Sequence, residues 1–132
     1  MSWPPQIGDL LPRRDAAHGV EEKLAGYSLK LDHPSGGAKA AGFAQVLAIT
    51  LEDLDYLAGR LLEGLHDAPI SAVRDRDDGS VLCEVIVPVH GLGARGDRVA
   101  SVLTSWHVRW EGHRPRLVTA FITTKIGARW PS

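Results

Sequence analysis

Between Asp32 and Phe43 the chain runs Asp32-His33-Pro34-Ser35-Gly36-Gly37-Ala38-Lys39-Ala40-Ala41-Gly42-Phe43, with an imidazole and a primary amine on either side of a glycine-rich turn. Imidazole is the side chain best suited to moving protons near neutral pH, and an ammonium a few residues on can stabilise an anion. His33 also has a plainer use, as a cap for the helix that the following apolar residues predict. Lys39 has less of one, because a cation near a helix start opposes the helix dipole. Further along, His107 and Arg109 share one parity of a run rich in Val and Trp, where they form either a ligand surface or a solvated sheet face. His18, His66, His90 and His113 fall in loops or at helix ends with no partner in view.

These groups need elements to hold them. Residues 1 to about 19 contain Pro4, Pro5, Gly8, Pro12 and Gly19 without sustained periodicity, and form an irregular arm pinned by Trp3, Ile7, Leu10 and Leu11. The spacing of Val20, Leu24, Tyr27 and Leu31, with Glu21 and Glu22 in the first turn, predicts a helix over 20–29. Apolar residues at Ala40, Phe43, Val46 and Leu47 predict a second over 38–47. Thr50 caps a third, whose stripe is Leu51, Leu54, Leu57, Ala58, Leu61, Leu62 and Leu65.

After Pro69 the period changes. Strands are predicted over 70–74, 81–89, 98–110 and 116–124, separated by turn chemistry at Asp77-Asp78-Gly79, Gly91 to Gly96 and Glu111 to Pro115. Helices first and strands afterwards give an α+β domain over 20–124, with the helices on one face of a four-stranded antiparallel meander and a tail over 125–132. On the third strand Ala100, Val102, Thr104, Trp106, Val108 and Trp110 share the better core face. Val99, Ser101, Leu103, Ser105, His107 and Arg109 share the other.

Composition bounds the function. A chain of 132 residues, 44% apolar and 23% charged, suits one globular domain with a real core. The start Met1-Ser2-Trp3-Pro4-Pro5-Gln6 has neither the basic cluster nor the apolar run of a signal peptide, and no apolar stretch reaches membrane-spanning length. A cytoplasmic location and no membrane partner are expected. The single cysteine, Cys83, lies in an apolar run and is expected as a buried small hydrophobe. A net charge of −1 argues against a dedicated DNA-binding protein. From Ala94 onward, however, seven basic residues (Arg95, Arg98, Arg109, Arg114, Arg116, Lys125, Arg129) face two acids (Asp97, Glu111).

Phosphate-loop, dinucleotide and zinc spacings are all missing, so no cofactor and no metal are expected. Gly91-Leu92-Gly93-Ala94-Arg95-Gly96 matches Gly-x-Gly-x-x-Gly only superficially. It joins two predicted strands, with no helix start to hold a pyrophosphate.

Several segments together resemble a family of small uncharacterised bacterial domains: Lys23-Leu24-Ala25-Gly26-Tyr27-Ser28-Leu29, the Asp32 to Gly36 turn, and Lys39-Ala40 ahead of Phe43. The pattern continues in Leu47-Ala48-Ile49-Thr50, with Ala where the family has Gly, then Thr104-Ser105-Trp106 and Pro115-Arg116-Leu117-Val118-Thr119. That arrangement is similar to the barnase, EndoU, colicin and RelE group of toxin ribonucleases, and the resemblance covers about residues 20 to 124. It implies metal-independent RNA cleavage by attack of a ribose 2′-hydroxyl on the adjacent phosphate. By transfer, His33 is the general acid or base, Lys39 the electrostatic stabiliser, Thr119 and Thr104 partners of phosphate oxygens, and Arg116 a substrate clamp. Trp106 and His107 join the expected substrate surface, His107 as a second proton-transfer candidate outside the family pattern. The competing expectation is a non-catalytic protein-binding module, an immunity or antitoxin-like partner on a ribonuclease-like fold. RNA and a cognate antitoxin or immunity protein are the corresponding partners.

Overall fold

The change of hydrophobic period at Pro69 divides the chain into a helical half and a sheet half, and the computed structural model, which describes residues 3–124, keeps that division. Helix α1 (Val20–Lys23) widens into a π turn over Leu24–Ser28, and α2 (Gly37–Gly42) does the same over Phe43–Leu47. The expected helices over 20–29 and 38–47 are therefore present but not regular α throughout. Gly26 lies within the first π turn and Gly42 just before the second, where a missing side chain leaves the α geometry least enforced. The widened turns keep Leu24 and Ser28, and Phe43 and Leu47, buried.

The second helix ends at Ala48 with φ of 56°, a left-handed conformation that costs a non-glycine residue about 1–2 kcal/mol. That is the position where the resembled pattern carries Gly. Thr50 then starts the third helix as expected, its N–H donating to the Asp53 carboxylate at 3.0 Å. A 3-10 turn over Leu51–Asp53 leads into α3 (Leu54–Gly64).

Strands β1 (Ile70–Asp75), β2 (Val81–His90), β3 (Val99–Val108) and β4 (Arg116–Thr123) form an antiparallel sheet in the order β1-β2-β3-β4. The fold is thus α+β with a four-stranded meander. The register pairs Cys83 with Trp106, Val85 with Thr104 and Val87 with Val102, so these residues share the core face beneath the helices. Cys83 is fully buried there, and burial pushes its thiol up to about 12, the state of an unreactive core residue.

The sheet departs from expectation in two ways. β3 ends at Val108, so Trp110 leaves the core face and is 59% exposed. On the opposite face Ile86, Leu103 and Ser105 are nearly as buried as the core, so it is not a simply solvated surface.

The N-terminal arm is less irregular than its composition implies. Gly8 donates to the Ile70 carbonyl and Ile70 donates to the Asp9 carbonyl, tying the arm to edge strand β1. A 3-10 turn over Arg14–Ala16 follows, and His18 then forms a parallel bridge to Arg116 on β4. Of the residues expected to pin the arm, Leu11 is fully buried, whereas Ile7 is 62% exposed. The tail over 125–132, with Lys125, Arg129 and Trp130, lies outside the described residues.

Two glycines of α3 make a matched test of packing. An added Cβ at Gly59 meets nothing within 4 Å, whereas at Gly64 it falls 2.2 Å from Val87 Cγ1. In chemical denaturation Gly59→Ala should stabilise the protein by about 0.5–1 kcal/mol, and Gly64→Ala should destabilise it by about 1–3 kcal/mol. Equal effects at the two positions would contradict this packing of α3 on β2.

Candidate functional site

The glycines after His33 are required by close approach. A Cβ at Gly36 would lie 2.6 Å from the Tyr27 carbonyl oxygen, and one at Gly37 would lie 2.6 Å from that of Leu31. The start of α2 is thereby packed directly on the end of the first helix. His33 secures the turn: its Nδ1 accepts from the backbone N–H of Ser35 at 3.1 Å and of Gly36 at 2.9 Å. With Nδ1 accepting, the ring hydrogen is on Nε2. The ring stands edge-on to Tyr27, centroids 4.8 Å apart and planes at 80°.

Lys39, next to the buried Ala40, lies at the margin of the helical layer. Its side chain reaches edge strand β4, where Nζ donates to Thr119 Oγ1 at 3.0 Å and to Tyr27 Oη at 3.0 Å. The same nitrogen lies 4.7 Å from the centroid of the Tyr27 ring and 5.1 Å from that of Phe121. Thr119 and Phe121 pair with Ser105 and Leu103, so they stand on the sheet face opposite the core. Lys39 thus joins the helical layer to that face.

No carboxylate among the described residues pairs with Lys39; the ion pairs seen there are Arg60–Glu63 and Arg74–Glu84. An ammonium has three hydrogens, and two are used on the hydroxyls. Each hydroxyl, having accepted, keeps its own hydrogen to donate. The Lys39 hydrogen bond is the main cause holding the Tyr27 phenol below its usual pKa; the Lys39 charge and a Ser35 hydrogen bond add to it, and burial opposes it. The cluster therefore presents donors and one unneutralised positive charge, the requirement for binding an oxyanion.

Of the residues singled out from the sequence, His33, Lys39 and Thr119 lie in this one cluster. Thr104 and Trp106 do not. Both are fully buried on the core face, where Thr104 Oγ1 donates to the Val85 carbonyl at 2.7 Å and accepts from Trp106 Nε1 at 2.8 Å. That closed pair satisfies the indole within the core, which corrects their expected contact with substrate. Arg116 is exposed near the start of β4, with its side-chain stem against Gly19. It is three residues from Thr119, but the register shift between Ser105 and Trp106 makes this two residues of β3, about 7 Å, and it lies opposite His107.

His107 is part-buried, with Nε2 2.9 Å from Ser80 Oγ. Burial, then the charges of Arg76 and Arg109, lower its pKa against the opposing pull of Asp78.

Two members were missed. Tyr27 reads as packing because its spacing matches a helix stripe, and Phe121 has no motif at all. The signal for Tyr27 was its place in the Lys23 to Leu29 segment, shared with the resembled pattern.

Among the described residues no group of three or more His, Cys, Asp or Glu side chains is placed to hold a metal ion, and no helix is long and apolar enough to cross a membrane. No curated protein and no solved structure matches the chain. A family model described as a domain of unknown function, DUF6883, matches residues 10–124, and the chain belongs to that family.

Proposed function

We propose that the chain is an endoribonuclease whose phosphate-binding group is Lys39. The reading is carried by the donor-only cluster: an ammonium without a carboxylate among the described residues, bonded to two hydroxyls that still have hydrogens to give. A non-bridging phosphate oxygen takes the third Lys39 N–H together with the Thr119 hydroxyl, and charge developing on the phosphoryl group is stabilised there. The 2′-oxygen forms a bond to phosphorus as its proton passes to water. The bond to the 5′-oxygen breaks as Tyr27 gives that oxygen its phenolic proton, leaving a phenolate held by Lys39. A phenol with a lowered pKa is a better acid for this step. His33, with Nδ1 engaged by two amides, positions Tyr27 through the edge-on ring contact rather than carrying the proton itself.

A second reading, the protein-binding module, draws on another part of the surface. A groove of about 780 Å³ runs between the first two helices and the α3 entrance, with Leu31 (63% exposed) and Leu51 (49% exposed) in its lining. Under that reading Lys39 is dispensable.

Purified protein incubated with total RNA in chelator separates the two. Wild type should give discrete cleavage, and Lys39→Met should lower the rate by about 10²–10³-fold, as for loss of one preorganised donor to an oxyanion. Absent cleavage by wild type, or equal rates, would overturn the enzyme reading; tight binding of a co-purifying protein that tolerates Lys39→Met and is lost in Leu51→Arg would favour the module.

The local chemistry has its own measurement. In an ultraviolet phenolate titration, wild type should show a Tyr27 phase below the ordinary phenol range. Lys39→Met should move that phase upward, and Tyr27→Phe should remove it. A phase unmoved by Lys39→Met would contradict the hydrogen bond on which the acid role depends.

A further inference from the structure

A second cluster lies at the end of the sheet where β1 turns into β2 and β3 into β4. A cleft of about 390 Å³ opens there between Asp78, Ser80, His107, Arg109 and Trp110. Asp78 Oδ1 accepts from the Ser80 N–H at 2.9 Å and from the Ser80 hydroxyl at 2.6 Å. Because that hydroxyl hydrogen is committed to Asp78, the 2.9 Å contact between Ser80 Oγ and His107 Nε2 requires the imidazole hydrogen on Nε2. His107 Nδ1 is then an acceptor.

Trp110 supplies an exposed aromatic plate, with the His113 ring 4.8 Å away and tilted by 51°. His113 is itself fixed, its Nδ1 accepting from the Arg109 N–H at 3.0 Å. The plate is therefore preorganised rather than loose.

These groups fit one class of ligand. A stacking surface beside carboxylate and imidazole acceptors and guanidinium donors suits the face and edge of a nucleobase. Charge divides the rim: Arg109, Arg114 and Arg116 outnumber Glu111 on the β3–β4 side, and Arg13 of the arm joins them by donating to the Gly112 carbonyl at 2.8 Å. Asp75, Asp77 and Asp78 outnumber Arg76 on the β1–β2 side, so a phosphate backbone is directed along the arginine-rich β3–β4 side.

The cleft and the Lys39 cluster share one sheet face. Thr119 is opposite Ser105, and His107 is opposite Arg116. The two rows are two β3 residues apart, about 7 Å, and Trp110 lies beyond them past the end of β3, so one extended strand can cross both. We infer that this cleft is a nucleotide subsite, in which Trp110 stacks a base of a single-stranded RNA and Arg109 and Arg116 hold its backbone. This rests on the ribonuclease reading, with the scissile phosphate at Lys39.

The test is fluorescence anisotropy with a short, labelled 2′-O-methyl RNA, which lacks the attacking hydroxyl. Trp110→Ala should weaken binding by about tenfold, the effect of losing one stacked base, while Trp110→Phe retains most of the affinity. Arg109→Gln should weaken binding and flatten its salt dependence. Trp110→Ala binding as tightly as wild type would overturn the subsite. A loss with Lys39→Met but not with Trp110→Ala would remove the subsite and leave the Lys39 reading standing. A loss with Trp110→Ala but not with Lys39→Met would support the subsite and overturn the placement of the phosphate at Lys39.

Discussion

A lysine ammonium held between two hydroxyls, with no carboxylate among the described residues to neutralise it, is the interaction on which the site depends. Its position is a property of the fold. Lys39 leaves a helix whose neighbouring Ala40 and Phe43 are buried in the core, and it ends on an edge strand against residues of the opposite face. A shift of α2 relative to β4 would break the bond to Thr119, and a shift relative to the first helix would break the bond to Tyr27. Structure elsewhere can be judged by whether it prevents those shifts.

The glycine turn is the main restraint. Gly36 and Gly37 let the start of α2 contact the carbonyls of Tyr27 and Leu31, which fixes the spacing between the residue that supplies the phenol and the one that supplies the ammonium. His33 contributes from both sides, capping the turn through Nδ1 and bracing Tyr27 with its ring. On the sheet side, the register shift between Ser105 and Trp106 lets Thr119 pair with Ser105 while Leu117 pairs with Trp106 in the core. That irregularity leaves Val118 between them and keeps a hydroxyl and an apolar side chain on their proper faces.

Much of this was legible in the chain. Thr50 and the leucine stripe mark α3, the turn residues mark the meander, and the alternation from Ala100 to Val108 marks the core face of β3. Periodicity reports which face is buried but not what covers it. Tyr27 therefore looked like packing, and its partner Lys39 gave no sign that it would reach across to β4. Thr104 and Trp106 illustrate the converse: alternation placed them in the core, while the family resemblance assigned them to substrate. Burial and their mutual hydrogen bond decide for the core. The end of β3 was misplaced because Trp110 continues the alternation even though the strand stops at Val108, and an exposed aromatic plate is the result.

The claim that Lys39 is an oxyanion site is tested most directly by a crystal structure of the protein with a bound 2′-deoxy dinucleotide, which carries the phosphodiester without the attacking hydroxyl. The account predicts a phosphate oxygen within hydrogen-bonding distance of Lys39 Nζ and Thr119 Oγ1, with Tyr27 Oη facing the 5′-oxygen. A phosphate bound away from Lys39, or a carboxylate of the chain itself paired with that ammonium, would contradict it.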